Sequence, residues 1–345
     1  MHMGDGLISP VVGGAMLVVA AGAAVYSIRK VKDMEESKLP LMGVMSAFVF
    51  SAQMINFTIP GTGSSGHLGG GLILAALLGP YAGYLSMAAI LLIQALFFAD
   101  GGLLAYGCNL VNMGFFSCFI AYPFVYKFIT RKGLSRKRLI IASIAAGIIG
   151  LQFGAFGVVL ETRISGKTML PFSQFAWTMQ GIHLAIGTVE GIVTAAVVSF
   201  VWKVRPDIID NSLETGKNKG YKPVIIGFLI TALLLGGIVS LIASNNPDGL
   251  EWSIGKVAGV EKLNGDTEVH NTFAEAQQKT AILPDYSFKK SGDNINQKDG
   301  SQIAGTSVSG IVGSVVTLGI IVSIGYLISA MKRRKLKRQT GQALK

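Results

Sequence analysis

A succession of apolar runs, several of them about 20 residues long and so matched to a bilayer's hydrocarbon core, limits what this chain can become more than any other feature. The first covers residues 9–28, and comparable runs recur almost to the carboxy end. Half of the 345 residues are hydrophobic and only 14% are charged. Mean hydropathy is +0.53. The pattern predicts an all-α polytopic protein of the cell membrane, with the lipid bilayer as its solvent. A net charge of +11 raises nucleic acid as a partner, but the distribution excludes it. Of 30 Lys and Arg, 22 fall within 29–38, 127–138, 203–222 and 332–345, whereas 1–8, 60–67 and 100–106 carry none. Clustering of that kind is the positive-inside bias of a membrane protein. It places the amino terminus outside and the carboxy terminus in the cytoplasm. Cys108 and Cys118 stand ten residues apart on one predicted helix, about 15 Å of rise, too far to bridge.

No positive region precedes the run at 9–28, and Arg29-Lys30 follow it directly, the reverse of a cleaved signal. It is therefore expected to be a retained span. Residues 41–59 return outward. The next apolar stretch, 68–99, must begin and end outside, because 109–128 then crosses inward to the basic cluster at 127–138. An even number of crossings requires a turn, and Gly79-Pro80 is suited to make it. That leaves 68–78 as a helix of about 16 Å against about 30 Å of hydrocarbon. The loop holding His67 is thus predicted to dip into the membrane, at the base of an outward-facing pocket, with residues 1–8 as a lid. Residues 139–160 cross outward, 161–180 form an outer loop, and 183–202 cross inward. The polar stretch 203–222 marks a boundary, giving domains at 1–210 and 211–345. Spans at 224–243 and 308–330 enclose an outer segment, 244–306, holding 9 of the 19 acidic residues. The count is seven crossings, then two.

The opening Met1-His2-Met3 carries chemistry of its own. The α-amine, the deprotonated amide nitrogen of His2 and its imidazole can close two fused chelate rings around one metal. Three such nitrogens lie in a plane and leave one position, which His67, in its glycine-rich loop, is expected to fill. Planar nitrogen coordination suits Ni(II) or Cu(II) and suits tetrahedral Zn(II) poorly.

Met1-His2-Met3-Gly4-Asp5-Gly6, Gly66-His67-Leu68, Leu78-Gly79-Pro80, Asp100-Gly101-Gly102 and Asn109-Leu110-Val111-Asn112-Met113 resemble the NikM/CbiM family. Its members are the substrate-capturing (S) membrane subunits of energy-coupling-factor transporters for nickel and cobalt. The resemblance covers roughly 1–210. Pro247-Asp248-Gly249-Leu250-Glu251-Trp252 and Pro284-Asp285-Tyr286 resemble the small NikN/CbiN-type subunit, so the chain reads as a NikMN fusion. The resemblance implies a seven-helix bundle plus two further transmembrane helices with an extracytoplasmic loop. It also implies Ni(II) or Co(II) as transported substrate, metal binding by Met1, His2 and His67, a coupling transmembrane (T) subunit, and cytoplasmic ATPases. The chain itself is then no enzyme. Gly166-Lys167-Thr168 echoes a phosphate loop, but Glu161 replaces its first glycine, so no nucleotide site is assigned.

Polar residues within apolar runs are functional candidates, because unpaired they are costly there. Gln53, Asn56, Gln94, Asn109 and Asn112 qualify. Asn109 and Asn112 share a helical face and could hold the short loop or orient an imidazole, with interhelical hydrogen bonding as the plainer role. Asp100 is a turn former or a support of the site. His183 and Glu190, seven apart, are a proton relay or a structural pair, and a relay would fit a self-sufficient proton-coupled metal carrier or channel. A third reading makes 244–306 the centre of a signalling or assembly protein. His270 reads as a solvated residue. Gly and Ala within 139–160 are candidates for contact with the coupling subunit.

Overall fold

A computed structural model describes residues 1–31, 39–167, 169–209, 221–288 and 300–343. The expected boundary at 210/211 and most of the 29–38 basic cluster lie outside the described residues. All nine predicted apolar segments are helical. They are α1 (Pro10–Val31), α2 (Leu39–Gln53), α3 (Gly71–Leu78), α4 (Pro80–Phe98), α5 (Tyr106–Thr130), α6 (Arg136–Ser165), α7 (Phe172–Val204), α8 (Lys222–Gly237) and, after two short helices, α11. α9 (Gly249–Ala258), α10 (Glu268–Thr280) and α11 (Gly300–Ala343) complete the order. Seven described helices are long and apolar enough to cross a membrane. α2 has 15 residues and α3 only eight. The chain is a multi-pass membrane protein, and its regular structure among the described residues is helical apart from one small hairpin.

Three expectations fail at their edges. α2 stops at Gln53 instead of running to 59, and the chain turns into an antiparallel hairpin, β1 (Phe57–Ile59) and β2 (Ser64–Gly66). Residues 161–180 are no outer loop. α6 runs on to Ser165 and α7 starts at Phe172, so Glu161 lies inside a helix and is buried. Residues 244–288 fold back onto the first part, as described below, and His270 is buried there instead of solvated. The turn at Gly79-Pro80 holds: Gly79 has φ +83°, and Pro80 opens α4.

α2 is buried on nearly every side and packs against α8 and α11, joining the second part to the first. α6 and α7 pack backbone to backbone. A Cβ added to Gly191 would sit 2.4 Å from Ile144 Cα, and one on Gly147 would sit 2.8 Å from Gly191 Cα. The other glycines of α6 also face inward: Gly150 meets Ala121, and Gly154 meets the Asn112 carbonyl. Small residues permit this close approach where apolar lipid offers helices no hydrophobic drive to associate. The α6 glycines expected to meet another subunit are therefore taken up within the chain. Cys108 and Cys118 are free and buried.

A buried amino terminus beside His67

The first residues thread inward ahead of a short 3-10 turn at Asp5–Leu7, and Met1 and Met3 are buried. What holds them is a set of polar groups on α5 and the turn before it. Asn109 Oδ1 accepts from the Met3 amide (2.7 Å), while Asn109 Nδ2 and the Gly102 amide donate to the Met3 carbonyl (3.1 and 2.9 Å). Asn112 Nδ2 donates to Glu161 Oε2 (2.7 Å) and lies 3.7 Å from Met3 Sδ. Both asparagines thus hold the terminal segment. Neither orients an imidazole.

Threading of this kind brings the terminal nitrogen of Met1 to 2.7 Å from His67 Nε2, across 66 residues of chain. His67 Nδ1 faces the Leu68 carbonyl at 3.1 Å. A carbonyl only accepts, so Nδ1 carries the proton and Nε2 keeps a lone pair. His2 is fixed in the complementary way. Its Nε2 faces Gln94 Oε1 at 3.1 Å, Gln94 Nε2 donates to Gln53 Oε1 (2.9 Å), and Gln53 Nε2 donates to the Gly69 carbonyl (2.7 Å). That relay places the His2 proton on Nε2 and leaves Nδ1 unprotonated, 3.4 Å from Asp100 Oδ1. Metal-binding histidines are typically held by their other ring nitrogen in this manner. The two rings lie 5.0 Å apart at 20° to one another. Burial pushes the His2 imidazole down to about 4, against the raising effect of Asp100, so it is neutral at ordinary pH.

The His67 loop is anchored from below. Glu190 accepts from the Gly69 amide (2.5 Å) and the Gly70 amide (2.9 Å). Gly70 has φ +75°, and an added Cβ would meet Val49 Cγ1 at 2.3 Å, so only glycine fits. With both its oxygens taken up in this clasp, Glu190 is placed as a loop anchor instead of a relay partner of His183. Nor does the loop lie at the base of an open pocket. His67 is 8% exposed, and beside it lies a cavity of about 10 Å³ lined by Met1, His67, Met113, Leu151, His183 and Ile186, among others.

The cover comes from the second part. The Ser65 amide donates to the Pro247 carbonyl (2.8 Å), Ser65 Oγ to the Asn246 carbonyl (2.8 Å), and Trp252 Nε1 to the Thr62 carbonyl (3.0 Å). Asp248 follows directly. Its Oδ1 caps α9 through the amides of Leu250 and Glu251, and Glu251 accepts in turn from the Asp248 amide. That capping box aims Oδ2 at the Met1 nitrogen, 2.7 Å away, and at His67 Nε2, 3.6 Å away. Burial opposes the Asp248 charge, but the positive amino terminus of Met1 beside it holds its carboxyl well below the usual range. Tyr286 Oη donates to Asp100 Oδ2 (2.5 Å), and burial with the Asp100 charge keeps that phenol protonated. His270 Nε2 donates to the Ile8 carbonyl (2.9 Å). A Cβ on Gly6 would collide with the Leu263 carbonyl, so the link between α9 and α10 lies flush on the terminal segment. Sequence reasoning did not single out Asp248 as a site residue. Its spacing to Glu251 announces a helix cap and nothing about the amine.

Among the described residues no group of three or more His, Cys, Asp and Glu side chains is arranged to hold a metal.

Residues 2–208 match the family model of the cobalt uptake substrate-specific transmembrane region, CbiM, and residues 222–330 match the PDGLE domain. A protein of Archaeoglobus fulgidus, provisionally described as a fused nickel transport protein NikMN, is 33% identical over 333 residues, 96% of this chain and 99% of its own. The fused nickel transport protein NikMN of Rhodobacter capsulatus is 34% identical over 223 residues, 61% of this chain and 64% of its own. The cobalt transport protein CbiM of Sorangium cellulosum is 28% identical over 217 residues, 61% and 95%. The crystal structure of a truncated transition metal transporter superposes with a TM-score of 0.53 at 28% identity, covering 59% of this chain and 99% of that one.

Proposed function

The chain belongs to the CbiM family, followed by a PDGLE domain, and from that premise we propose that it captures Ni(II) or Co(II) for an ATP-driven importer of the energy-coupling-factor type. The relatives are nickel and cobalt transport proteins. The ligands on this reading are the Met1 amine, the His2 amide nitrogen and Nδ1, and His67 Nε2. One observation carries it: the Met1 nitrogen and His67 Nε2 stand 2.7 Å apart. Two donors on neighbouring corners of a square plane, each about 2.0 Å from the metal, lie about 2.8 Å apart. Both histidine tautomers present the required nitrogen. Asn109, Asn112 and Asp100 act as supports, the asparagines through Met3 and Asp100 beside His2.

The site binds metal without bond chemistry. Energy comes from partners, a coupling transmembrane subunit and cytoplasmic ATPases, with the amino terminus outside and the carboxy terminus inside. Residues 1–210 form the capturing part and 211–345 its cover. Reconstitution tests this. Proteoliposomes holding the chain with coupling and ATPase subunits should accumulate Ni(II) only with ATP, and uptake by the chain alone would establish a self-sufficient carrier instead.

A further inference from the structure

His183 stands apart from every group used so far. It lies on α7, is 1% exposed, and lines the same small cavity as Met1 and His67. Its Nδ1 is 2.8 Å from the Met179 carbonyl one turn earlier, so Nδ1 carries the proton. Nε2, with its lone pair, is buried and has no hydrogen-bond partner among the described residues. The cavity wall here is kept open by small residues, since a Cβ on Gly249 would lie 3.2 Å from His183 Cε1.

A buried acceptor left without a donor is costly inside apolar surroundings, and a purely structural histidine does not need one. Fixing Nδ1–H on a carbonyl while Nε2 stays bare is how proteins hold an imidazole for a metal. The imidazole that carries this bare nitrogen lines a space that two residues of the terminal site, Met1 and His67, also line. Met113, a polarisable thioether side chain, lines that space too. Glu190, about two helical turns further along α7, is occupied by Gly69 and Gly70 and does not compete for the ion.

We propose that His183 Nε2 is a second metal-binding group, sharing the cavity with the terminal site and receiving Ni(II) or Co(II) when the ion leaves the terminal nitrogens. The proposal rests on the terminal site being the capture site. It gives the ion a second foothold within the same cavity, beside Gly249 of the cover.

Four full-length chains with carboxy-terminal tags test it by Ni(II) titration: the native terminus and one extra alanine before Met1, each with and without His183→Gln. In the native pair the substitution should leave affinity nearly unchanged, since the terminal nitrogens dominate. The extended chain should keep weaker binding, and His183→Gln should reduce that remainder about tenfold or more. The X-ray absorption of the Ni(II)-loaded extended chain should lose one imidazole with the substitution, and His183→Asn should repeat the loss if the glutamine variant does not fold. An extended chain that binds nothing, or whose remainder ignores His183, overturns the proposal. Failure of the native chain to bind contradicts the terminal site instead, and the extended pair still decides the role of His183.

Discussion

Asp248 Oδ2 lies 2.7 Å from the terminal nitrogen of Met1, 247 residues away in sequence. The contact joins the two parts of the chain at the nitrogen proposed above as a metal ligand. It also sets a charge balance. Without metal the nitrogen is an ammonium, of charge +1. With a divalent metal and a deprotonated His2 amide the net charge is again +1. The carboxylate therefore supports both states alike. Asp248→Asn should destabilise the unloaded and loaded chain by a similar amount, about 1.5–3 kcal/mol for a charged hydrogen bond, leaving the Ni(II)-induced shift in melting temperature unchanged. Thermal unfolding with and without Ni(II) checks this. Loss of the metal-induced shift would make Asp248 a ligand.

Gln94 fixes which nitrogen of His2 is bare. Gln94→Leu removes the acceptor at Nε2 and frees the ring to rotate or change tautomer. Supports of this kind are worth about 10–100-fold in metal affinity, and Ni(II) titration of the variant should show a loss in that range. An unchanged affinity would mean that the chelate alone orients the ring.

Glu190 carries the loop that carries His67. Glu190→Ala leaves two buried amides, of Gly69 and Gly70, without acceptors, at about 1–3 kcal/mol each. Glu190→Gln keeps one acceptor and should cost about half as much. Melting temperatures should fall in that order, and Ni(II) affinity with them, because the clasp sits two residues from His67.

On the proposed ligand set, metal binding expels protons from the amine and the His2 amide, since neither ligates while protonated. His2, already neutral at ordinary pH, contributes none. Affinity should rise with pH, and calorimetry in buffers of different ionisation enthalpy should report about two protons released per Ni(II) near neutrality. Release of none would remove the amide and amine from the ligand set.

Much of this was legible in the sequence. Apolar run length located the nine apolar helices, seven of them long and apolar enough to cross a membrane, and the turn at Gly79-Pro80 was legible as well. A chelate at Met1 and His2 follows from covalent structure alone. What was not legible depends on contacts across long chain separations. Asp248, Gln94 and Glu190 are placed by packing between elements, and no spacing rule links position 248 to position 1. The helix ends of α6 and α7 were misjudged for another reason: polar residues such as Glu161 and Gln180 look like loop in a hydropathy profile, yet they continue a helix when a neighbouring segment supplies partners. His270 was misread likewise, because its acceptor, the Ile8 carbonyl, belongs to a distant segment.

The central claim is that the terminus itself binds the metal. Isothermal titration of Ni(II) into the chain with its native terminus and into a chain with one alanine before Met1, both tagged only at the carboxy end, tests it most directly. Tight binding of one Ni(II) by the native chain, with a loss in the extended chain as severe as that of His2→Ala, is the predicted result. Equal affinity in the two would contradict it and return the site to side-chain ligands alone.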